Sequence, residues 1–199
     1  FNKDLLTPWD LVPSQTILVY EKDVCTTCID EMQQGAFWEI IERASFYEKN
    51  ADSLKSKLGG AIRDKRGLLV SAHITRKDDF DFVYYLPATP DLPDLISYFK
   101  APKGYRYSER ELNEVRIHEL TGHDQTFSWI MIENVWVGSF TPFLIEDVIR
   151  TYNGKRSFAN AHSEMSRLPR ISGDAGNIYL NLKSFSDWFS VFLPTRDKS

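Results

Sequence analysis

Short apolar runs with alternating polar positions predict that this chain is built mainly of β-hairpins. The stretch "FDFVYYLP", residues 80–87, alternates in this way and follows the apolar run "GLLVSAHI" and the polar turn "TRKDD". Two such runs around a turn are typical of an antiparallel hairpin. The stretch "YRYSERELNEVRIHEL" predicts two further strands around a tight polar turn. "FSWIMIENVWVGSF" predicts another hairpin, in which Glu133-Asn134 suits a primed turn because Asn tolerates a positive φ.

Other segments have the spacing of helices. Apolar residues recur at three- and four-residue intervals after Phe37 and again after Leu54, which predicts two helices that cover a sheet. Thr141-Pro142 is a plausible cap and first turn of a helix that is stopped by Asn153-Gly154. A further helix is predicted from Ser157 to Arg167. The run "QTILVY", residues 15–20, predicts the first strand of the chain.

This order of elements indicates an α+β protein with a mainly antiparallel sheet, built of hairpins, and helices packed on it. The late stretch "NIYLNLKSFSDWFSVFL" resembles the early succession of strand and helix, which we interpret as a weak internal repeat. We therefore expect a main domain over residues 1–170. Residues 171–199 then close its sheet or begin a second copy of the unit.

Composition narrows the class of protein. The 199 residues are 42% hydrophobic, which is enough for a sizeable core. Lys and Arg number 24 against 28 Asp and Glu, and the two signs are mixed, so a nucleic-acid partner is disfavoured. No apolar run approaches the length of a membrane span. Because the chain begins with Phe, we expect it to be part of a longer protein. Its oligomeric state is left open.

The two cysteines form a C-x-x-C pair, Cys25 and Cys28, between the first strand and the first helix-like segment. This is the order found in thioredoxin-like oxidoreductases, where Cys25 would attack and Cys28 would resolve the mixed disulfide. However, the helical spacing begins only near Ala36, and the acidic neighbours of the pair would raise a thiol pKa. A structural pair, oxidised or free, is therefore favoured over a redox site. Zinc is the remaining alternative, but it needs four ligands and the histidines are scattered.

No other motif indicates catalysis. In "HELTGH" the two histidines, His118 and His123, are five positions apart rather than the four of a zincin helix, and the flanking residues alternate as in a strand. We therefore expect His118 on a strand face, His123 in a turn, no metal site and no cofactor. "GSFTP" lacks the spacing of a nucleophile elbow.

Aromatic residues are abundant, and most of them are expected in the core and on sheet faces. The tryptophans assigned to such packing are Trp38, Trp129, Trp136 and Trp188. A second group alternates with polar residues and could mark a partner surface. Its members are Tyr84, Tyr85, Tyr105 and Tyr107.

The order of segments along the chain resembles that of a family of Bacteroidota proteins known as a domain of unknown function. The segments that carry the resemblance include "VPSQTILVYE", "AFWEIIERASFYEK", "LLVSAHITRKDDFDFVYYLP" and "NIYLNLKSFSDWF". Members are typically long, anchored near the amino terminus by a membrane segment or lipid, and exposed outside the cytoplasm. The resemblance implies an extracytoplasmic location and carries over no catalytic residue. In that compartment the C-x-x-C pair would oxidise to a small ring.

The expected function is therefore a non-catalytic binding or structural module of a larger envelope protein. Its partner would be a protein or an envelope component. The alternative is a thiol-disulfide oxidoreductase that uses Cys25 and Cys28. A third possibility is an architectural repeat unit that spaces other domains.

Overall fold

A computed structural model of the protein describes residues 6–25, 66–76, 79–87, 106–123, 126–164 and 176–184. The helices predicted after Phe37 and Leu54, the segment around Trp188, and the residues Cys28, Trp38 and Tyr105 lie outside these ranges.

The described residues form one antiparallel sheet of eight strands with a few helices, so this part of the chain is mostly β. The strands are β1 (Leu18–Cys25), β2 (Arg66–Arg76), β3 (Asp79–Pro87), β4 (Arg106–Leu112), β5 (Val115–Thr121), β6 (Thr126–Ile132), β7 (Val135–Ser139) and β8 (Asn177–Leu180). Across the sheet their order is β4-β5-β6-β7-β3-β2-β1-β8. Two meanders, β1 to β3 and β4 to β7, are thus joined where β3 pairs with β7.

The hairpins predicted from alternation are confirmed. β2 and β3 pair around residues 77 and 78, and β6 and β7 pair around Glu133-Asn134. In the β6–β7 turn the positive φ, 49°, falls on Glu133 rather than on the Asn134 of the prediction. The β4–β5 turn places Asn113 at φ 49° and Glu114 at φ 66°, which is the backbone of a two-residue hairpin of the primed type.

A helix covers one face of the sheet. α1 (Pro142–Gly154) begins at Pro142 after the N-cap Thr141, as predicted. It includes Asn153-Gly154, where the helix was expected to stop, and the left-handed residue that follows it is Lys155. Its apolar side packs into a core cluster with the row that Tyr85, Val137, Ile130 and Ile117 form across four neighbouring strands. This row is apolar because a strand covered by a helix must bury every second side chain.

The opposite face of the sheet carries large aromatic side chains. Trp129 and Trp136 are buried there, as predicted, and Phe127 stacks on both of them. Gly138 lies opposite Trp129 on β7. A Cβ atom at this position would lie 2.5 Å from Trp136 and 2.7 Å from Phe127, so only glycine leaves room for the two rings.

Both ends of the described chain meet at β1. A 3-10 helix, Pro8–Asp10, places the indole of Trp9 so that its N–H donates to Glu21 on β1 over 2.6 Å. The hydroxyl of Tyr179 on β8 donates to the same carboxylate over 3.1 Å. Trp9 and Tyr179 also contact edge to face, with ring centroids 5.0 Å apart. Residues near the start and the end of the chain are therefore held around one buried acid.

Two further predicted elements differ from the structure in their limits. The strand predicted over residues 15–20 begins at Leu18 and continues to Cys25, with a register irregularity between Lys22 and Cys25. The helix predicted from Ser157 is observed as the short α2 (Phe158–Ala161), followed by a turn at His162. β8 pairs with β1 within the same sheet.

Candidate functional site

A cleft of about 1110 Å³ lies where the segment before β1, the end of β2, helices α1 and α2 and the residues after β8 come together. Backbone contacts hold these walls. The N–H of Phe158 donates to the carbonyl of Val12 over 2.7 Å, and the N–H of Asn181 donates to that of Ile17 over 2.7 Å. The side-chain amide of Asn181 donates to the carbonyl of Thr16 over 3.2 Å. The cleft is thus a built feature of the fold, formed by segments distant in sequence.

His73 on β2 is a buried wall residue of this cleft, with 6% of its surface exposed. Its Nε2 lies 2.7 Å from the hydroxyl oxygen of Ser71, and that oxygen lies 3.1 Å from the hydroxyl of Tyr85 on β3. Ser71 and Tyr85 are both fully buried. Burial lowers the pKa of His73 to about 3, so the imidazole is neutral at ordinary pH.

Asp81 lies opposite His73 on β3 and is also buried. Its carboxylate accepts a hydrogen bond from the hydroxyl of Thr141 and another from the N–H of Phe82, the latter over 2.7 Å. Burial raises the pKa of Asp81 to about 7, with a further increase from Asp79, while these two hydrogen bonds oppose the rise. Thr141 therefore uses its hydroxyl for Asp81 and makes no side-chain cap bond to α1.

The Ser71–His73 pair does not have the geometry of a hydrolase site. Ser71 is fully buried and is not part of the cleft wall, so a substrate in the cleft would not reach its hydroxyl. Within the described residues, the hydrogen-bond partners of Asp81 are Thr141 and Phe82, so it does not orient His73 as the acid of a triad does. The arrangement is suited to fixing His73 rather than to activating a nucleophile.

The charged side chains of the cleft are mainly basic. Arg150 donates to Asp147 over 2.7 Å and to Glu146 over 2.9 Å, so its charge is matched. Arg156 and Lys183 also line the cleft, and no ion pair joins either of them to another described residue. A local positive surface therefore occurs in a chain whose formal charge is -4.

A second polar cluster lies on the outer strands, β4 and β5. The hydroxyl of Tyr107 donates to Glu109 and lies 2.6 Å from Nδ1 of His118, whose ring stacks on Trp129. Burial and the neighbouring Glu109 raise the pKa of Tyr107 to about 12. The hydrogen bond from Tyr107 lowers the pKa of Glu109, and burial lowers that of His118. These side chains are satisfied by one another and lie outside the cleft.

The structure does not bring the predicted tyrosine surface together. Tyr85 is buried under α1, and Tyr84 projects to the opposite face of the same strand. Tyr107 is exposed on β4, which is separated from β3 by three strands and hence by about 19 Å. Tyr105 lies outside the described residues.

The other predicted positions are distributed over the sheet. Cys25 is the last residue of β1 and pairs with Arg66, whereas Cys28 lies beyond the described range. His118 lies on β5, as predicted, and His123 follows that strand at an exposed bend. In the part of the chain that the structure describes, no group of three or more His, Cys, Asp or Glu could hold a metal ion.

Sequence reasoning missed His73, Ser71, Arg156 and Lys183. One local signal was present, because Ser71 and His73 are polar residues two positions apart on an otherwise apolar strand and must therefore share a face. Arg156 and Lys183 lie on separate elements, and no spacing in the sequence relates them.

No protein-family model, no curated protein and no solved structure matches the chain. Among the described residues, no helix has the length and apolar content required to cross a membrane.

Proposed function

We propose that this protein is a non-catalytic binding module and that the cleft between α1, α2 and the end of β2 is its binding site. The observation that carries the proposal is the combination of a cleft of about 1110 Å³ with a buried polar residue, His73, in its wall. Binding sites are commonly concave and largely apolar, with a few fixed polar groups that orient the ligand. The hydrogen bond between Ser71 and His73 gives the imidazole such a fixed position.

The ligand on this proposal is a component of the bacterial envelope. The resemblance to extracytoplasmic Bacteroidota proteins supports this location and an anchor elsewhere in the full-length protein. The resemblance is also compatible with further strand-helix units beyond Ser199. Protease treatment of intact and lysed cells that carry the full-length protein tests the location, because an exposed module would be degraded in both.

The binding test uses the isolated chain and an extract of bacterial envelopes. After incubation and removal of unbound material, native mass spectrometry should show an added mass, and amide resonances of the cleft residues should shift. The variant Ala161→Trp narrows the cleft from an exposed wall position and should abolish both effects. Asn153→Trp, an exposed position on α1 outside the cleft, is the matched control and should retain them.

If no added mass appeared, or if Ala161→Trp bound as well as the wild type, the cleft would not be the binding site. The alternative function, thiol-disulfide exchange, is supported by the position of Cys25 at the end of β1, three residues before the second cysteine of the C-x-x-C pair. The antiparallel neighbour of β1 counts against it, because the thioredoxin-like motif belongs to a βαβ context. Reduction of insulin with dithiothreitol decides between them. An inactive wild type removes the alternative, and activity that is lost in Cys25→Ser supports it.

A further inference from the structure

Counting hydrogen-bond donors assigns the tautomer of His73. Tyr85 is fully buried, and the oxygen of Ser71 is its hydroxyl's hydrogen-bond partner among the described residues. A buried hydroxyl that did not donate would lose free energy, so Tyr85 donates to Ser71. Ser71 then has its own proton available for the atom on its other side, Nε2 of His73. A ring nitrogen that accepts carries no proton, so the proton of the neutral imidazole is on Nδ1.

The Nδ1–H group is open to the cleft. No described residue hydrogen bonds to this nitrogen, and it is not one of the fully buried polar atoms that lack a partner. Because His73 lines the cleft and is otherwise enclosed by the sheet, its accessible nitrogen faces the cleft. The cleft wall therefore presents one fixed hydrogen-bond donor that is neutral and needs an acceptor.

The remaining lining adds charge and apolar surface. Arg156 and Lys183 contribute two positive charges that no other described residue pairs with. Asp147 forms an ion pair with Arg150, which weakens its repulsion of an anion. Phe143 of α1 lines the same cleft and has 44% of its surface exposed. A donor, two free cations and an exposed ring together match a molecule that has an anionic head and an apolar part.

From this arrangement we infer that the cleft binds a small amphiphile whose anionic oxygen group, a carboxylate or a phosphate, accepts a hydrogen bond from Nδ1–H of His73. Arg156 and Lys183 attract the charge of the same group, and Phe143 contacts the apolar part. This inference rests on the proposed binding function and names the chemical class of its ligand.

The first test concerns the ligand-free protein and does not depend on binding. Long-range proton–nitrogen NMR spectra of histidine rings distinguish an Nδ1–H from an Nε2–H imidazole. At neutral pH His73 should show the Nδ1–H form. An Nε2–H form, or a charged ring, would overturn the inference.

The second test measures binding of four probes by titration calorimetry, namely octanoate, octyl phosphate, octanol and octylammonium. Octanoate or octyl phosphate should bind at least tenfold more tightly than octanol and octylammonium, and the stronger of the two identifies the head group. Raised salt should weaken anion binding because Arg156 and Lys183 are exposed. Arg156→Gln and Lys183→Gln should each weaken it several-fold. Arg116→Gln, an exposed position on β5 outside the cleft, is the control and should leave affinity unchanged.

Two variants of His73 separate the effect of its hydrogen-bond donor from the effect of its side-chain size. In Asn the amide nitrogen is as many bonds from Cα as Nδ1 is, so His73→Asn keeps a donor towards the cleft. In Gln the amide group lies as many bonds from Cα as Nε2 does, and its oxygen can accept from Ser71, so His73→Gln keeps the hydrogen bond to Ser71 and loses the donor at the position of Nδ1. Affinity for the anionic probe should fall about tenfold in His73→Gln, the loss expected for one charge-assisted hydrogen bond, and much less in His73→Asn.

Each result has a defined meaning. Equal affinities of the two His73 variants would overturn the role of Nδ1, and preferential binding of octanol or octylammonium would overturn the ligand class while leaving the cleft a binding site. If none of the four probes bound, the inference that the ligand is an amphiphile would be overturned. The proposed binding function would fail only if the envelope extract also gave no added mass. If a His73 variant does not fold, the NMR spectrum of the wild type and the Arg156 and Lys183 variants decide the matter.

Discussion

His73 and Asp81 lie directly opposite each other on β2 and β3, and burial moves their pKa values in opposite directions. The pKa of His73 falls to about 3, and that of Asp81 rises to about 7. Between these values the folded protein holds both groups uncharged. A histidine and an aspartate on paired strands would suggest an ion pair. In the folded protein they are instead two neutral hydrogen-bonding groups.

The pH dependence of unfolding should reveal this pair when either member is removed. His73 titrates at about 3 when folded and near 6.5 when unfolded, so its contribution to stability is lost as pH falls from about 6.5 to 3. Asp81 titrates at about 7 when folded and near 3.8 when unfolded, so its contribution is lost as pH rises from about 4 to 7. In the wild type the two slopes oppose each other over the shared range.

We therefore expect His73→Asn to lose stability as pH rises from about 4 to 7, and Asp81→Asn to lose stability as pH falls from about 6.5 to 3. For each variant, the slope of the unfolding free energy against pH should differ from that of the wild type by at most about 1.4 kcal/mol per pH unit. Urea unfolding at a series of pH values measures this. Parallel curves for all three proteins would contradict the pKa shifts of His73 and Asp81.

Removal of Ser71 should cost more stability than removal of the hydroxyl of Tyr85. Ser71→Ala leaves two buried groups, the Tyr85 hydroxyl and Nε2 of His73, without their partner. Tyr85→Phe leaves Ser71 bonded to His73. We expect about 2 to 4 kcal/mol for the first change and about 1 kcal/mol for the second, measured as the free energy of unfolding. The reverse order would show that the three groups do not form one chain.

Thr141 should affect Asp81 more than it affects the helix. Thr141→Val removes the hydroxyl that donates to Asp81 but no cap bond of α1, so the loss, about 1 to 3 kcal/mol, should come without a change in helical circular dichroism. Because that hydrogen bond lowers the pKa of Asp81, the pKa should rise further in this variant. Thr141→Ser keeps the donor and is the control. Equal losses in both variants would assign the effect to packing instead.

Gly138 should not tolerate a side chain. In Gly138→Ala the added carbon would meet Trp136 at 2.5 Å and Phe127 at 2.7 Å, and the rings must move. We expect a loss of about 1 to 3 kcal/mol in thermal or urea unfolding, with a change in tryptophan fluorescence. Gly154→Ala is the matched control, because its nearest neighbour is 4.0 Å away and alanine favours the helix. It should be neutral or stabilising.

Local patterns were enough to predict the hairpins and α1. Partial alternation over residues 80–87 and 127–131, together with their aromatic and β-branched residues, predicts strands, and Pro142 favours a helix start because its ring presets φ. The antiparallel sheet followed from these units. The place of β7 beside β3 could not be predicted, because the pairing of two meanders depends on contacts between segments far apart in the chain.

The site was harder to predict than the fold. Ser71 and Tyr85 meet only because the register of β2 and β3 places them on one face, 14 positions apart in sequence. The aromatic surface was predicted from alternation alone, which cannot tell an outward tyrosine from Tyr85 under a helix. Arg156 and Lys183 line the same cleft only because β8 joins the sheet and the residues after it border α2.

The pairing of β8 with β1 bears on how the molecule acquires its structure. Tyr179 reaches Glu21 over a separation of 158 positions. One edge of β1 pairs with β2, and the other edge stays unpaired until β8 joins it. Closing so long a loop costs chain entropy before any contact offsets that cost. We therefore expect the pairing of β8 with β1 to be part of the rate-limiting step of folding. During synthesis β1 therefore waits for β8 to be made, and a nascent chain arrested before β8 would present β1 as an open template for misassociation.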